Sequence, residues 1–98
     1  MLFAPDAVSA FGDWLECESL RQMILESRPN LAPYVVLHPH RPLLRIHRPA
    51  GDMLIARMHE SEPAPWLVGV REGPSHALHE VDTSPAVAAL VIGLLDRE

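Results

Sequence analysis

The closing stretch, Ser84-Pro85-Ala86-Val87-Ala88-Ala89-Leu90-Val91-Ile92-Gly93-Leu94-Leu95, constrains the fold more than any other part of the sequence. Val87, Leu90, Val91, Leu94 and Leu95 recur at i, i+3, i+4, i+7 and i+8, which is one face of an α-helix. Ser84 is suited to cap that helix, and Pro85 fits its first position, where the missing N–H is not needed. The reverse side carries Ala86, Ala88, Ala89, Ile92 and Gly93, with no charge until Asp96. A helix with so little polar surface is expected to be covered on more than one side. A branched side chain left wet forgoes about 1.5–3 kcal/mol. The cover comes either from the rest of the chain or from a second molecule. Val87, Leu90, Val91, Ile92 and Leu94, with Trp66, are therefore the candidate surface for a protein partner or a homodimer. The uninterrupted apolar run is about half the ~20 residues that a helix needs to cross a bilayer, so no membrane span is expected.

What such a helix packs on is read from the preceding residues. The chain has 98 residues, enough for one hydrophobic interior and too few for two, so residues 1–98 are expected to form a single domain. Pro5 and Asp6 open a helical stretch, with Asp6 placed to accept from its free N–H groups. Val8, Phe11 and Leu15 form one apolar stripe on it, while Leu20, Met23 and Ile24 form another rotated well away. One straight helix cannot bury both, so the pattern predicts a bend near Gly12 and Asp13 or two pieces, ending before Pro29. Arg28 to Pro33 then reads as a connector.

From Tyr34 the pattern changes to short strand-forming runs punctuated by proline and glycine, as in an antiparallel meander. The expected strands are Tyr34–His38, Leu43–Arg48, Met53–His59, Trp66–Arg71 and, as a polar edge, Ser75–Val81. In the second, Leu44 and Ile46 point one way and Leu43, Arg45 and His47 the other. In the third, Leu54, Ala56 and Met58 are expected inside, with Arg57 and His59 facing away. In the fourth, Trp66, Val68 and Val70 oppose Leu67, Gly69 and Arg71. Pro49-Ala50-Gly51-Asp52 and Gly73-Pro74 supply turn chemistry. The fold class expected is α+β: a helical start, a four- or five-stranded antiparallel meander, and an apolar C-terminal helix packed on the sheet.

Bulk properties narrow the function. A formal charge of −5 repels phosphate backbones and anionic lipid overall, which disfavours nucleic acid and membrane surfaces as partners. All eight basic residues are arginine, a usage that fits GC-rich coding in a small bacterial or phage-like gene. The single cysteine, Cys17, has no partner for an intramolecular disulfide, and the opening MLFAPDAVSAFGDW lacks a basic leader and a sustained apolar run. Both point to a cytoplasmic protein.

Chemistry is sparse. Histidines at 38, 40, 47, 59, 76 and 79 invite a metal test, and His38, His40, His47 and His59 are the ones that a hairpin would bring nearest each other. No Cys-x-x-Cys or His-Glu-x-x-His spacing supports them. Arg41, Arg45 and Arg57 fall on the first hairpin and its approach, and a shared face of Arg45 and Arg57 would grip an anion or an acidic partner. Only Tyr34 lies close by as an aromatic platform for bases, which disfavours nucleic acid further. Cys17 lies between Glu16 and Glu18, whose charges oppose thiolate formation, and neither a nucleophile elbow nor a phosphate-cradling glycine loop is present. The sequence therefore predicts no enzyme and no cofactor. It predicts a small interaction module, a regulator, inhibitor, immunity-type or accessory protein, that acts through a sheet face or through the apolar C-terminal helix. The alternative is a metal- or small-anion-binding domain using the hairpin at residues 38–59.

Overall fold

The computed structural model describes residues 5–58 and 64–97, with side chains described from residue 10 onward. Helix α1 spans Pro5–Ser27, a short 3-10 turn covers Pro29–Leu31, and five strands follow: β1 Val35–Leu37, β2 Leu43–Ile46, β3 Met53–Arg57, β4 Trp66–Glu72 and β5 Ser75–Val81. Helix α2, Ser84–Asp96, closes the chain. The strands pair in sequence order, every neighbour antiparallel, so the sheet is a meander with β1 and β5 at its edges. The fold is α+β, with an N-terminal helix, a five-stranded antiparallel sheet and a C-terminal helix packed on that sheet.

Both helices lie on the same face. Helix α1 covers β1, β2 and β3, α2 covers β4 and β5, and the two helices touch each other. Cys17, Leu20 and Ile24 from α1, and Val87 and Val91 from α2, are fully buried against Leu44, Ile46, Met53, Ile55 and Val68 of the sheet. The apolar helix is thus covered on two sides, by sheet and by α1. Its remaining side is Ala86, Ala89 and Gly93, exposed but too small to present much apolar surface, with Ile92 half-buried beside them. The cap is Thr83 rather than Ser84: its Oγ1 accepts from the Ala86 N–H at 3.2 Å, which moves the helix start one residue forward of the expected place.

The expected break in α1 does not occur. The helix runs unbroken through Gly12 and resolves the conflict between its two stripes by abandoning one. Leu20 and Ile24 are buried, whereas Phe11 and Leu15 remain 61% and 47% exposed. The reasoning that one straight helix cannot bury both stripes holds; the physical outcome is exposure, not a bend. The expected cap at Asp6 and the place of Val8 fall outside the described side chains.

Strand β3 also departs from the sequence reading. Ile46 pairs with Met53 and Leu44 with Ile55. Directly paired residues share a face, so Met53, Ile55 and Arg57 turn toward the helices and Leu54 and Ala56 turn away. This is the reverse of the expected parity. Met58 lies just past the strand, and His59 lies outside the described residues.

Arg57 is accommodated under the helices by three contacts. Its Nε lies 2.5 Å from the Glu16 carboxylate and 3.6 Å from that of Asp13, and its guanidinium sits 5.4 Å from the Trp66 ring centroid. The Glu16 contact is an off-axis ion pair, since the buried Nε–H does not point along a hydrogen bond. A cation over an aromatic face and two nearby carboxylates offset the loss of water around the guanidinium. Elsewhere, Arg28 after α1 grips Asp96 at the end of α2 through two bonds of 3.2 and 2.6 Å. That bridge joins the C-terminal ends of the two helices.

Candidate functional site

With both helices on one side, the other face of the sheet carries no covering element among the described residues. Antiparallel sheets tolerate one wet face, and the usual adaptation is a polar set of side chains there. Here the middle row of that face runs Val36, Arg45, Leu54, Gly69 and Leu78 across all five strands in register. Val36 is 47% exposed, Leu54 39% and Leu78 71%. The row beside it, Leu43, Ala56, Leu67 and Glu80, is apolar except at the β5 edge.

Gly69 gives the middle row its shape. It has no side chain between Leu54 and Leu78, and a Cβ placed there would lie 3.5 Å from Leu78 and 3.8 Å from the Leu54 carbonyl, ordinary contact distances. The glycine is therefore not forced by backbone geometry; it leaves an open slot. The slot forms the floor of a cleft of about 560 Å³ whose walls include Arg45, Asp52, Leu54, Arg71, His76 and Leu78. A second hollow of about 250 Å³ lies toward β1, bounded by Val36, His38, Leu43, Arg45 and His47.

One end of the face is basic. Arg45, His47, Arg71 and His76 stand there with Asp52, which approaches His47 Nδ1 at 3.3 Å and Arg45 Nε at 3.9 Å. Arg71 makes no ion pair among the described residues. The position of Arg71 is fixed by the β2–β3 turn: Arg48 donates to the Gly51 carbonyl at 2.6 Å and to the Arg71 carbonyl at 2.8 Å. Gly51 has φ of +130°, and a Cβ on it would meet the Arg71 carbonyl oxygen at 2.8 Å. The turn thus packs backbone against backbone at the cleft wall.

The residues singled out from the sequence are dispersed by the fold. Val87 and Val91 are fully buried inside the chain and Trp66 is 2% exposed, so none of the three has a surface to offer a partner. Leu90 and Leu94 are half-buried and packed against the core, and Ile92 is half-buried outside that cluster. Arg45 and Arg57 do not share a face: β2–β3 pairing sets Arg45 opposite Leu54 on the open side, while Arg57 lies under the helices. The anion face built on both is therefore overturned by strand parity. Arg41 stands exposed in the β1–β2 connection.

The histidines do not converge. His38 Nδ1 accepts from the backbone N–H groups of His40 and Arg41, both at 3.0 Å, and so closes the turn after β1. Its carbonyl accepts from Trp14 Nε1 at 2.8 Å, tying that turn to α1. His47 is turned to Asp52, and His76 and His79 sit on opposite faces of β5. His59 lies outside the described residues. Among the described residues, no three His, Cys, Asp or Glu side chains are grouped to hold a metal ion.

The His47–Asp52 contact is the one imidazole–carboxylate pair among the described residues, and both members are close to half exposed. The walls of the neighbouring cleft contain no hydroxyl or thiol that such a pair would activate. Cys17 is fully buried, and burial pushes its thiol up to about 12, with Asp13 and Glu16 adding to the effect. It is a packing residue. No described helix is long and apolar enough to cross a membrane.

Sequence reasoning missed Val36, Leu54 and Leu78 as a surface because it turned Leu54 inward. The signal that locates them is hairpin closure: with Ile46 inside, its partner Met53 is inside too, which sends Leu54 out. No family model, no curated protein and no solved structure matches this chain.

Proposed function

We propose that this chain is a non-enzymatic protein-interaction module, of regulator, inhibitor or accessory type, whose docking surface is the uncovered face of its sheet. One observation carries the reading. The face that no helix covers presents Val36, Leu54 and Leu78 in a single register row, where a solvated sheet face would carry polar side chains. A row that is apolar at Val36, Leu54 and Leu78, interrupted by Arg45 and flanked by charge at one end, resembles an interface, where large apolar side chains and arginine are enriched inside a polar surround. The sheet face is preferred over α2 because Val87 and Val91 are fully buried, none of the half-buried Leu90, Ile92, Leu94 and Leu95 is as exposed as Val36, Leu54 or Leu78, and Ala86, Ala89 and Gly93 offer little area to bury.

Site-specific photocrosslinking in the native cells tests the reading. A photoreactive residue at position 78 is expected to give a discrete adduct of protein mass, while the same group at position 89 on α2 gives none. Adducts from position 89 and not from 78 transfer the docking surface to the helix and refute the proposal; no discrete adduct from 78 refutes it as well.

A further inference from the structure

We infer that the occupant of the open sheet face is a second copy of this chain, which lays the exposed stripe of its own α1 along the Leu54, Gly69 and Leu78 row. The inference rests on the reading that this face docks protein, and it names the partner. Among the described residues, the large apolar side chains left exposed besides Tyr34 form two groups: the sheet row, and Phe11 with Leu15 on α1. They lie on different elements and differ in shape. The sheet row has a slot over Gly69, and α1 has a projecting ring.

Phe11 is exposed yet held. Its ring stacks at 6.4 Å and 7° on Trp14, whose indole N–H is bonded to the His38 carbonyl. An anchor already fixed in one orientation forfeits little freedom on docking. At 100° per residue, Glu18, Gln22 and Glu26 follow Phe11 and Leu15 along the same side of α1. The stripe is thus apolar at one end and carries carboxylates at the other, where Glu18 shares its charge with Arg21 through bonds of 2.8 and 2.9 Å and Glu26 stands exposed.

Charge decides among the partners this face accepts. The protein carries −5 overall with its histidines neutral, yet the cleft end of the open face carries Arg45 and Arg71 against Asp52. A pairing of two sheet faces about a two-fold axis along the strands would set the Arg71 end of one copy against the same end of the other, an arrangement that costs affinity. An α1 stripe brings carboxylates instead. The spacing agrees: Glu18 lies about 10 Å along the helix from Phe11, and Arg45 lies two strands, about 10 Å, from Gly69 along the row. With Phe11 seated over Gly69 and the helix laid along the row, Leu15 falls near Leu54 and Glu18 near Arg45. The contact also uses the packing already present on the opposite face, helix on sheet, and gives the sheet a second layer.

Sedimentation of the purified, untagged chain from about 5 to about 500 µM, which spans association free energies of roughly −4.5 to −7 kcal/mol, tests the inference. The wild type is expected to self-associate with concentration. Phe11→Glu and Leu78→Glu are each expected to raise the apparent dissociation constant at least about tenfold, the effect of losing a central anchor. An equimolar mixture of the two variants is expected to recover association, because each retains the surface that the other lacks. Both positions are exposed, so folding is expected to persist; Phe11→Ser and Leu78→Ser, with circular dichroism melts, serve where a glutamate variant melts early. A chain monomeric throughout overturns the inference. So does sensitivity to Leu78→Glu without sensitivity to Phe11→Glu, which signifies pairing of two sheet faces. If the purified chain is monomeric while position 78 crosslinks to a protein of different mass, the second copy is refuted and the docking face stands.

Discussion

Replacing Val91 by alanine measures how far α2 organises the interior. Val91 is fully buried between the sheet and α1, whereas Ala89, two residues earlier, faces solvent. The substitution removes two methyl groups, about 1.6 kcal/mol at roughly 0.8 kcal/mol per carbon. The cavity left behind adds up to about 1 kcal/mol, depending on how far the neighbours close in. Alanine is the better helix former and returns about 0.6 kcal/mol. The net loss is about 1 to 2 kcal/mol. With a urea slope near about 1.3 kcal/mol per molar for a chain of this size, the unfolding midpoint falls by roughly 0.8 to 1.5 M. Urea titration followed by far-UV circular dichroism reads this directly. Ala89→Gln is the control and is expected to stay within about 0.5 kcal/mol of the wild type. Equal midpoints for Val91→Ala and Ala89→Gln would falsify the packing described for α2.

Three further expectations follow from local geometry. Gly51→Ala forces a Cβ to within 2.8 Å of the Arg71 carbonyl at φ +130° and is expected to cost about 2 kcal/mol in urea titration, while Gly73→Asn, with φ +59° and open space around it, stays near neutral. Arg57→Ala removes the cover over Trp66 and the pairing to Glu16 and Asp13, with a loss of about 1–2 kcal/mol after allowance for solvent screening; Arg57→Met, which keeps the aliphatic stem, is expected to recover part of it. Because burial raises the Cys17 thiol from its ordinary 9.0 to about 12, the folded state holds that proton more tightly than the unfolded chain. Stability from this source is complete below pH 9 and is lost as the pH climbs toward 12; urea midpoints across that window are expected to fall more steeply for the wild type than for Cys17→Ala.

Much of the fold was legible because its strongest signals are local. Helix α2 has an unbroken 3.6 periodicity, and β2 and β4 alternate so cleanly that Ile46, Val68 and Val70 could be placed inside without any pairing information. Strand β3 lacks that contrast: Met53, Leu54, Ile55 and Ala56 are all apolar, so either parity satisfies the pattern. Only the long-range register with Ile46 and Leu44 decides it. Arg57 added to the difficulty, since a cation at the strand end reads as solvent-facing until Asp13 and Glu16 are known to meet it across the interior. In α1 the two stripes were legible and their fate was not, because a sequence shows which residues are apolar and not how far the sheet extends beneath them. The candidate site was the least legible part. It consists of what the helices leave uncovered, and that is a property of the whole layer arrangement and of no single segment.

Solvent relaxation of methyl groups by a soluble nitroxide, recorded by NMR on dilute, methyl-labelled protein, tests the one-sided layering most directly. The methyls of Val36, Leu54 and Leu78 are expected to relax strongly, and those of Ile55, Val68, Val87 and Val91 weakly. Protection of Leu54 and Leu78 in the dilute monomer, equal to that of Ile55 and Val68, would mean that the open face is covered within the chain, and the docking surface would not exist.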